Sequence, residues 1–410
     1  MSWTDGTIWW HCYPLGFVGA EREAIDHVEH RLWRLTNWLD YVIELGANGL
    51  LLGPVFASRT HGYDTLDHYR IDPRLGDSAD FAELVGQAKR RGIRVLLDGV
   101  FNHVSHEHEI VRRALDGGPR SEAGSWIRWV GEYPRGFEGN LDLVELNLDH
   151  PAVQDYVVDV MNHWLDLGID GWRLDAAYAP GPDAWRPIVA RVRAAHADAW
   201  ILGEVIHGDY PDFVARSGVD SLTEYELWKA VWSSLNDRNF HELAWTLGRH
   251  AQFAGRFRPL NFIGNHDTTR IATKLTDPRD LPLAHALLLL LPGVPSIYAG
   301  DEQGFTGEKT DGPGGDDAVR PAFPEDPSGL AEFGRQTYEL ERRLIHLRRT
   351  HPWLAWAGMS VGAVTSDAIA IDLDGGAQRL TLGLNAADEP VDLPGVNGPL
   401  RVGPHAWVLG

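Results

Sequence analysis

Arg173 and Asp175 stand two residues apart in the otherwise apolar stretch GIDGWRLDAAY. Side chains alternate faces along a strand, so these two charges point the same way. Burying either one alone is costly, so that face must meet further charged groups. Other apolar runs supply candidates. IRVLLDGVFNH ends in Asp98, Asn102 and His103, WILGEV carries Glu204, and LNFIGNHD ends in Asn265, His266 and Asp267. Three carboxylates (Asp175, Glu204 and Asp267) with two histidines and an arginine suit acid–base and nucleophilic work if they converge. A single acid of this kind could equally be a structural ion pair, but ion pairing alone accounts poorly for the whole set.

Convergence depends on the elements that carry them. Eight strand-like runs begin at Thr7, Gly49, Ile93, Gly171, Trp200, Ser221, Leu260 and Pro295. Amphipathic stretches lie between them; DFAELVGQAKRRG and PAVQDYVVDVMNHWLDLG each close on a glycine suited to a helix C-terminus. Eight strand–helix alternations predict an α/β fold of the (β/α)8 TIM-barrel type rather than an open doubly wound sheet. In such a barrel the C-terminal strand ends share one mouth, which brings the polar residues together. No glycine-rich phosphate loop follows a strand, which argues against a dinucleotide site.

The barrel is expected over 1–102 and 151–355. Residues 103–150, rich in Trp, Gly and Pro, form too long a connection for a simple loop and are expected to be an inserted subdomain after strand 3. Beyond Met359 the alternation in AIAIDLDG and RLTLGLN predicts a small C-terminal antiparallel β domain over 356–410.

Composition narrows the function. With 44% hydrophobic residues the chain can build a large core, and its single cysteine, Cys12, excludes an internal disulfide framework. A net charge of −21 opposes binding to nucleic acid or to an anionic membrane. The N-terminus shows no secretory signal, and the longest apolar run, LPLAHALLLLLPG, is too short to span a bilayer. A cytoplasmic location is expected, and a homo-oligomer is left open.

DGVFNH (98–103), GWRLD (171–175), GEV (203–205) and FIGNHD (262–267) resemble, in order and spacing, the four sequence blocks of the α-amylase family of glycoside hydrolases, glycoside hydrolase family 13. HGYDTLDHYRIDPRLG (61–76) and YAGDEQG (298–304) resemble the segments after strands two and eight, so the likeness covers roughly residues 8 to 350. It implies Asp175 as nucleophile, Glu204 as general acid/base, and Asp267 as a ligand of the distorted sugar ring. Further substrate-binding residues implied are His103, His266, Arg173, Tyr63 with its neighbour Asp64, and the pair Asp316 and Arg320. Arg173 is expected to keep Asp175 charged while a neighbouring carboxylate raises Glu204, separating the two roles.

The resemblance implies an oligosaccharide substrate and a retaining α-glycosidase acting on malto-oligosaccharides or related short α-glucans. A transglycosylase with the same residues stays open, and a non-catalytic relative would be expected to lack a carboxylate. No cofactor is required. Tyr178 and Ala179 replace a lysine and a histidine common in α-amylases, which argues against a structural calcium ion, although Asn102 and Glu145 could still offer oxygen ligands. Among the tryptophans, Trp9, Trp33, Trp164 and Trp228 are expected in the core, and Trp126 and Trp129 as sugar platforms.

Overall fold

The computed structural model describes residues 3–312 and 314–410. Eight parallel strands form one sheet: β1 (Trp9–Cys12), β2 (Gly49–Leu52), β3 (Arg94–Gly99), β4 (Gly171–Leu174), β5 (Trp200–Gly203), β6 (Ser221–Leu222), β7 (Leu260–Asn261) and β8 (Val294–Tyr298). Their order is β6-β5-β4-β3-β2-β1-β8-β7. A parallel bridge between Thr223 and Leu260, with the Glu224 N–H donating to the Leu260 carbonyl at 3.0 Å, joins the two ends. The sheet is thus an eight-stranded barrel, as the alternation predicted. β6 and β7 are only two residues long, shorter than the runs suggested.

Register fixes the height of each functional residue. Leu174 sits opposite both Gly99 and Gly203, so Asp175 and Glu204 leave the barrel together from adjacent strands. One layer lower, Arg173 sits opposite Asp98 and Leu202. The floor beneath is filled by Trp9 and Trp200, stacked at 5.6 Å and 12° among Leu51, Leu96, Leu202, Leu260 and Val294. Gly49 leaves room for the Trp9 indole, and Gly171 lets β4 lie close against the β5 backbone. A Cβ at Gly49 would enter the Trp9 ring, and one at Gly171 the Trp200 carbonyl.

Gly171→Ala must therefore push β4 away from β5. We expect a loss of about 1–3 kcal/mol, the usual range for overpacking, seen as a lower urea midpoint. Activity should fall as well, since the same shift separates Asp175 from Glu204. An unchanged midpoint would show that the strands accommodate the methyl.

Helices cover the outside with regular apolar stripes. Ser78–Arg90 starts at a reciprocal Asp77/Asp80 capping box and buries Phe81, Leu84, Val85 and Ala88. Leu281–Leu290, the most apolar run, is buried from Leu283 onward and packs on Arg335–Thr350. Among the described residues, no helix is long and apolar enough to cross a membrane. Cys12, Trp9 and Trp164 lie in the core. Trp33 does not. The helix Leu32–Thr36 is so short that only Leu32 and Leu35 reach the interior, leaving Trp33 48% exposed. Trp228 is half-buried.

Between β3 and the helix Pro151–Asp166, the chain forms short elements including Glu109–Gly117 and a strand, Asn140–Glu145, paired to His103–Ser105. After the barrel, Gly358–Val364, Ala368–Asp374, Arg379–Asn385 and Ala406–Leu409 form a four-stranded antiparallel sheet.

Candidate active site

Arg173 is the hub of the mouth. Its Nη1 lies 2.6 Å from both Asp98 oxygens and 3.2 Å from Asp175 Oδ1, and its Nη2 lies 2.6 Å from Glu204 Oε1. All four side chains are at least nine-tenths buried. One guanidinium thus faces three carboxyls, and all three cannot be ionised cheaply in so dry a place.

This alters the expected charge distribution. Burial and the neighbouring Glu204 carboxyl push Asp175 well above the usual carboxylate range, against the pull of Arg173. Burial likewise raises Asp98. Arg173, expected to keep Asp175 charged, lies closer to Asp98 and Glu204 and is shared among all three. Glu204 meanwhile accepts hydrogen bonds from the Tyr225 hydroxyl at 2.9 Å and from the Ala176 backbone N–H at 3.0 Å. Ala176 reaches that position with φ +45, a left-handed conformation uncommon outside glycine, directly after Asp175.

Asp267 has the opposite environment. Burial opposes its charge, but His266 at 2.9 Å and Arg320 at 2.7 Å hold its carboxyl well below the usual range. Arg320 also donates from Nε to the His266 carbonyl at 2.8 Å, contacts Asp316 at 3.0 Å, and lies over the Tyr13 ring at 4.6 Å. The Tyr63 hydroxyl donates to Asp98 at 3.0 Å and makes a short contact with His266 Nε2. Tyr63 and His266 rings lie parallel, 5.4 Å apart.

His103 Nε2 lies 3.9 Å from Asp175 Oδ2 and has no hydrogen-bond partner despite its burial. Burial, with the nearby His61, lowers its pKa to about 3, so it is a neutral ring there. Asp64 is turned away from the cluster: its oxygens accept from Thr60 N–H at 3.1 Å and Thr60 Oγ1 at 2.6 Å. Eight of the other nine expected residues join one continuous network, and His103 stands beside it.

Three residues escaped the sequence reading. Tyr225, which also accepts from Asn265 Nδ2 at 3.0 Å, lies three residues beyond the end of β6. Its position at a strand end was the available signal. Phe137 stacks on His103 at 4.6 Å and 10°, and Glu138 accepts from the Tyr178 hydroxyl at 2.6 Å. Both belong to the insertion, whose irregular sequence offered no periodic signal. Of the proposed platforms, Trp126 packs on Tyr156 and Trp129 donates to the Gly124 carbonyl, so neither contacts the carboxylate cluster. Asn102 contacts His103 Nδ1 at 3.2 Å, and Glu145 lies 3.2 Å from Arg135.

Known proteins are similar to this chain over most of its length. The family model described as "Alpha amylase, catalytic domain" matches residues 31–343. A cyclomaltodextrinase of Geobacillus thermopakistaniensis (strain MAS1) is 29% identical, over 96% of this chain and 71% of its own length. Neopullulanase 2 of Thermoactinomyces vulgaris is 32% identical, over 76% of this chain and 55% of its own length. The chain thus spans only about half to three quarters of these two relatives. Among solved structures, the ligand-free cyclic α-maltosyl-(1→6)-maltose hydrolase of Arthrobacter globiformis superimposes with a TM-score of 0.87 at 25% identity, over 100% of this chain and 99% of that one.

Proposed function

The chain belongs to the α-amylase family of glycoside hydrolases, and on that premise we propose that it is a retaining α-glycosidase cleaving short α-glucans, linear or cyclic, by double displacement. The observation that carries the reading is the pairing of β4 with β5, which sends Asp175 and Glu204 into the mouth side by side on one guanidinium. Neighbouring strands lie ~4.8 Å apart, and retaining enzymes hold their carboxyls ~5–5.5 Å apart. That spacing leaves no room for a water between carboxylate and sugar, so direct attack is favoured.

In this reading Asp175 attacks the anomeric carbon while Glu204 protonates the departing oxygen. This step requires Glu204 protonated and Asp175 ionised. Glu204 then takes a proton from water, which opens the glycosyl–Asp175 ester from the vacated face. Asp267, kept ionised by His266 and Arg320, accepts hydrogen bonds from ring hydroxyls, and neutral His103 offers a further polar contact. Tyr63 supplies a flat ring beside them. Support for short substrates comes from two of these proteins, whose names specify cyclomaltodextrin and cyclic maltosyl-maltose chemistry.

Proton NMR of a fresh maltotriose digest tests this. The α anomer should appear first, with β arising only through mutarotation. Early β product would overturn the assignment of Asp175 as nucleophile. Products longer than the substrate at high sugar concentration would instead mark a transglycosylase using the same residues.

A further inference from the structure

We infer that His11 is a positioning residue for Asp267, acting through one buried water that it shares with His266. The inference rests on the assignment of Asp267 to the sugar ring and extends it to a residue outside the carboxylate cluster.

Strand alternation places His11. Trp9 points into the barrel floor, so His11, two residues further along β1, faces the same interior one step nearer the mouth. It pairs there with Leu51 of β2 and Tyr298 of β8. Its ring stands edge-on to His266, with centroids 5.1 Å apart at 83°, and lies 5.4 Å from the Tyr298 ring. Burial, and then the neighbouring His266 and Arg173, hold its pKa well below the usual 6.5, so the ring is neutral.

Two ring nitrogens lack partners. Among the described residues, nothing hydrogen-bonds to His11 Nε2 or to His266 Nδ1, and both are buried. The other His266 nitrogen is crowded. Nε2 lies 2.9 Å from Asp267 Oδ2 and contacts the Tyr63 hydroxyl, whose own proton is directed at Asp98. Two oxygens thus offer lone pairs to Nε2, so Nε2 carries a proton. Nδ1 must then accept a hydrogen bond if bare, or donate one if protonated. A water serves either need, and serves His11 Nε2 in the same way. Left unmet, each nitrogen would carry the cost of a buried group without its hydrogen bond.

The space for that water exists. His11 and His266 both line a cavity of about 10 Å³, with Arg173, Thr223, Asn265 and Ser296 among its other walls, and every lining residue is buried. This is room for about one water, and polar walls are what retain one. An anion is disfavoured, because the Arg173 guanidinium already faces three carboxyls. The hydrogen bond made at one imidazole nitrogen sets the state of the other. With Nδ1 supplied by the water, the proton stays on Nε2, where it holds Asp267. Without the water that proton is free to move to Nδ1, and Asp267 loses a donor.

His11→Phe keeps a ring in place but no nitrogen, whereas His11→Gln sets an amide near the place of Nε2. The wild type is crystallised at a resolution that shows ordered waters, and kcat and KM of all three proteins are measured on maltotriose. One water should lie within hydrogen-bond distance of both nitrogens. The Phe variant should lose about tenfold in kcat, the scale of one buried hydrogen bond. Its KM should stay within about twofold, since Asp267 grips the distorted ring of the transition state. The Gln variant should recover most of the rate. Packing alone would give the reverse order, with Phe the better replacement. Should the Phe variant fail to fold in a thermal melt, His11→Leu takes its place. A dry cavity overturns the inference, as does a bromide ion located there by its anomalous signal. So does an apolar variant that matches the wild type, or a Gln variant no faster than it. A wild type that cleaves no maltotriose sinks the α-glucan reading, and the water alone then decides this one.

Discussion

Glu204→Gln slows cleavage of malto-oligosaccharides on the order of 10²–10⁴-fold, the contribution expected of a general acid. Asp175→Asn slows it more, because no neighbour can take over a covalent role. The two losses separate by leaving group. α-Glucosyl fluoride departs without a proton, so it should restore much of the first step to Glu204→Gln and nothing to Asp175→Asn. Neither change should unfold the protein. Burial and Glu204 already disfavour the charge on Asp175, so the neutral Asn is at least as well accommodated, and its melting temperature should equal or exceed that of the wild type. Steady-state rates on maltotriose and on the fluoride, with thermal melts of both variants, check each point. Near-normal turnover by either variant, or rescue of the Asp175 variant by the fluoride, contradicts the roles assigned.

Glu302→Gln is expected to stabilise the protein in alkaline buffer and to do little in acid. Glu302 is fully buried behind β8, accepting from Tyr41 at 3.0 Å and from the Gly300 N–H at 2.8 Å. Burial, and then Glu341, push its carboxyl from the usual 4.5 up to about 8. Nearby Asp301 is raised to about 6 by burial, opposed by Arg270 and His285, and His285 itself sits 2.6 Å from Glu341. For a carboxyl raised on folding, the unfolded chain gives up its proton first. The wild type is therefore most stable below about pH 4.5 as far as this group is concerned, and loses that contribution as pH rises to about 8. At ~1.4 kcal/mol per pH unit, the loss is on the order of 5 kcal/mol. Glutamine carries no such proton. Urea unfolding at pH 5 and pH 9 should show the variant's advantage only at the higher pH; an equal advantage at both, or none at pH 9, would mean that Glu302 is ionised in the folded protein.

The sequence foretold some residues of this site and hid others. Arg173 and Asp175 announced a charged interior, because two like-facing charges inside an apolar strand must find partners where they are buried. Eight strand starts were visible because apolar runs bounded by helices repeat along the chain. Distances across the mouth were not visible. Nothing in GWRLD says that Arg173 would lie nearer Asp98 than Asp175, since that depends on the register of three strands and on side-chain packing. Trp33 misled because an aromatic residue in a helical pattern usually faces inward, while a five-residue helix has an inner face only two side chains wide. Phe137 and Glu138 act through a turn whose partners, His103 and Tyr178, lie 34 and 40 residues away in sequence. No local pattern encodes such a meeting.

The barrel is joined to itself at a thin place. β6 and β7 contribute two residues each, and Thr223 to Leu260 is their single bridge, whereas β2 and β3 share four paired positions. Mechanically this is a strip of eight strands held by a clasp, not a hoop of even strength. Glu204 lies on one side of the clasp and Asp267 on the other, and the hydrogen bond from Asn265 to Tyr225 crosses it above the backbone. A sugar gripped by both acids would act as a rivet through the joint, bound by the fastened ring and released by the loosened one. Fastening and binding then become a single equilibrium, so each bound substrate tightens the scaffold that holds it.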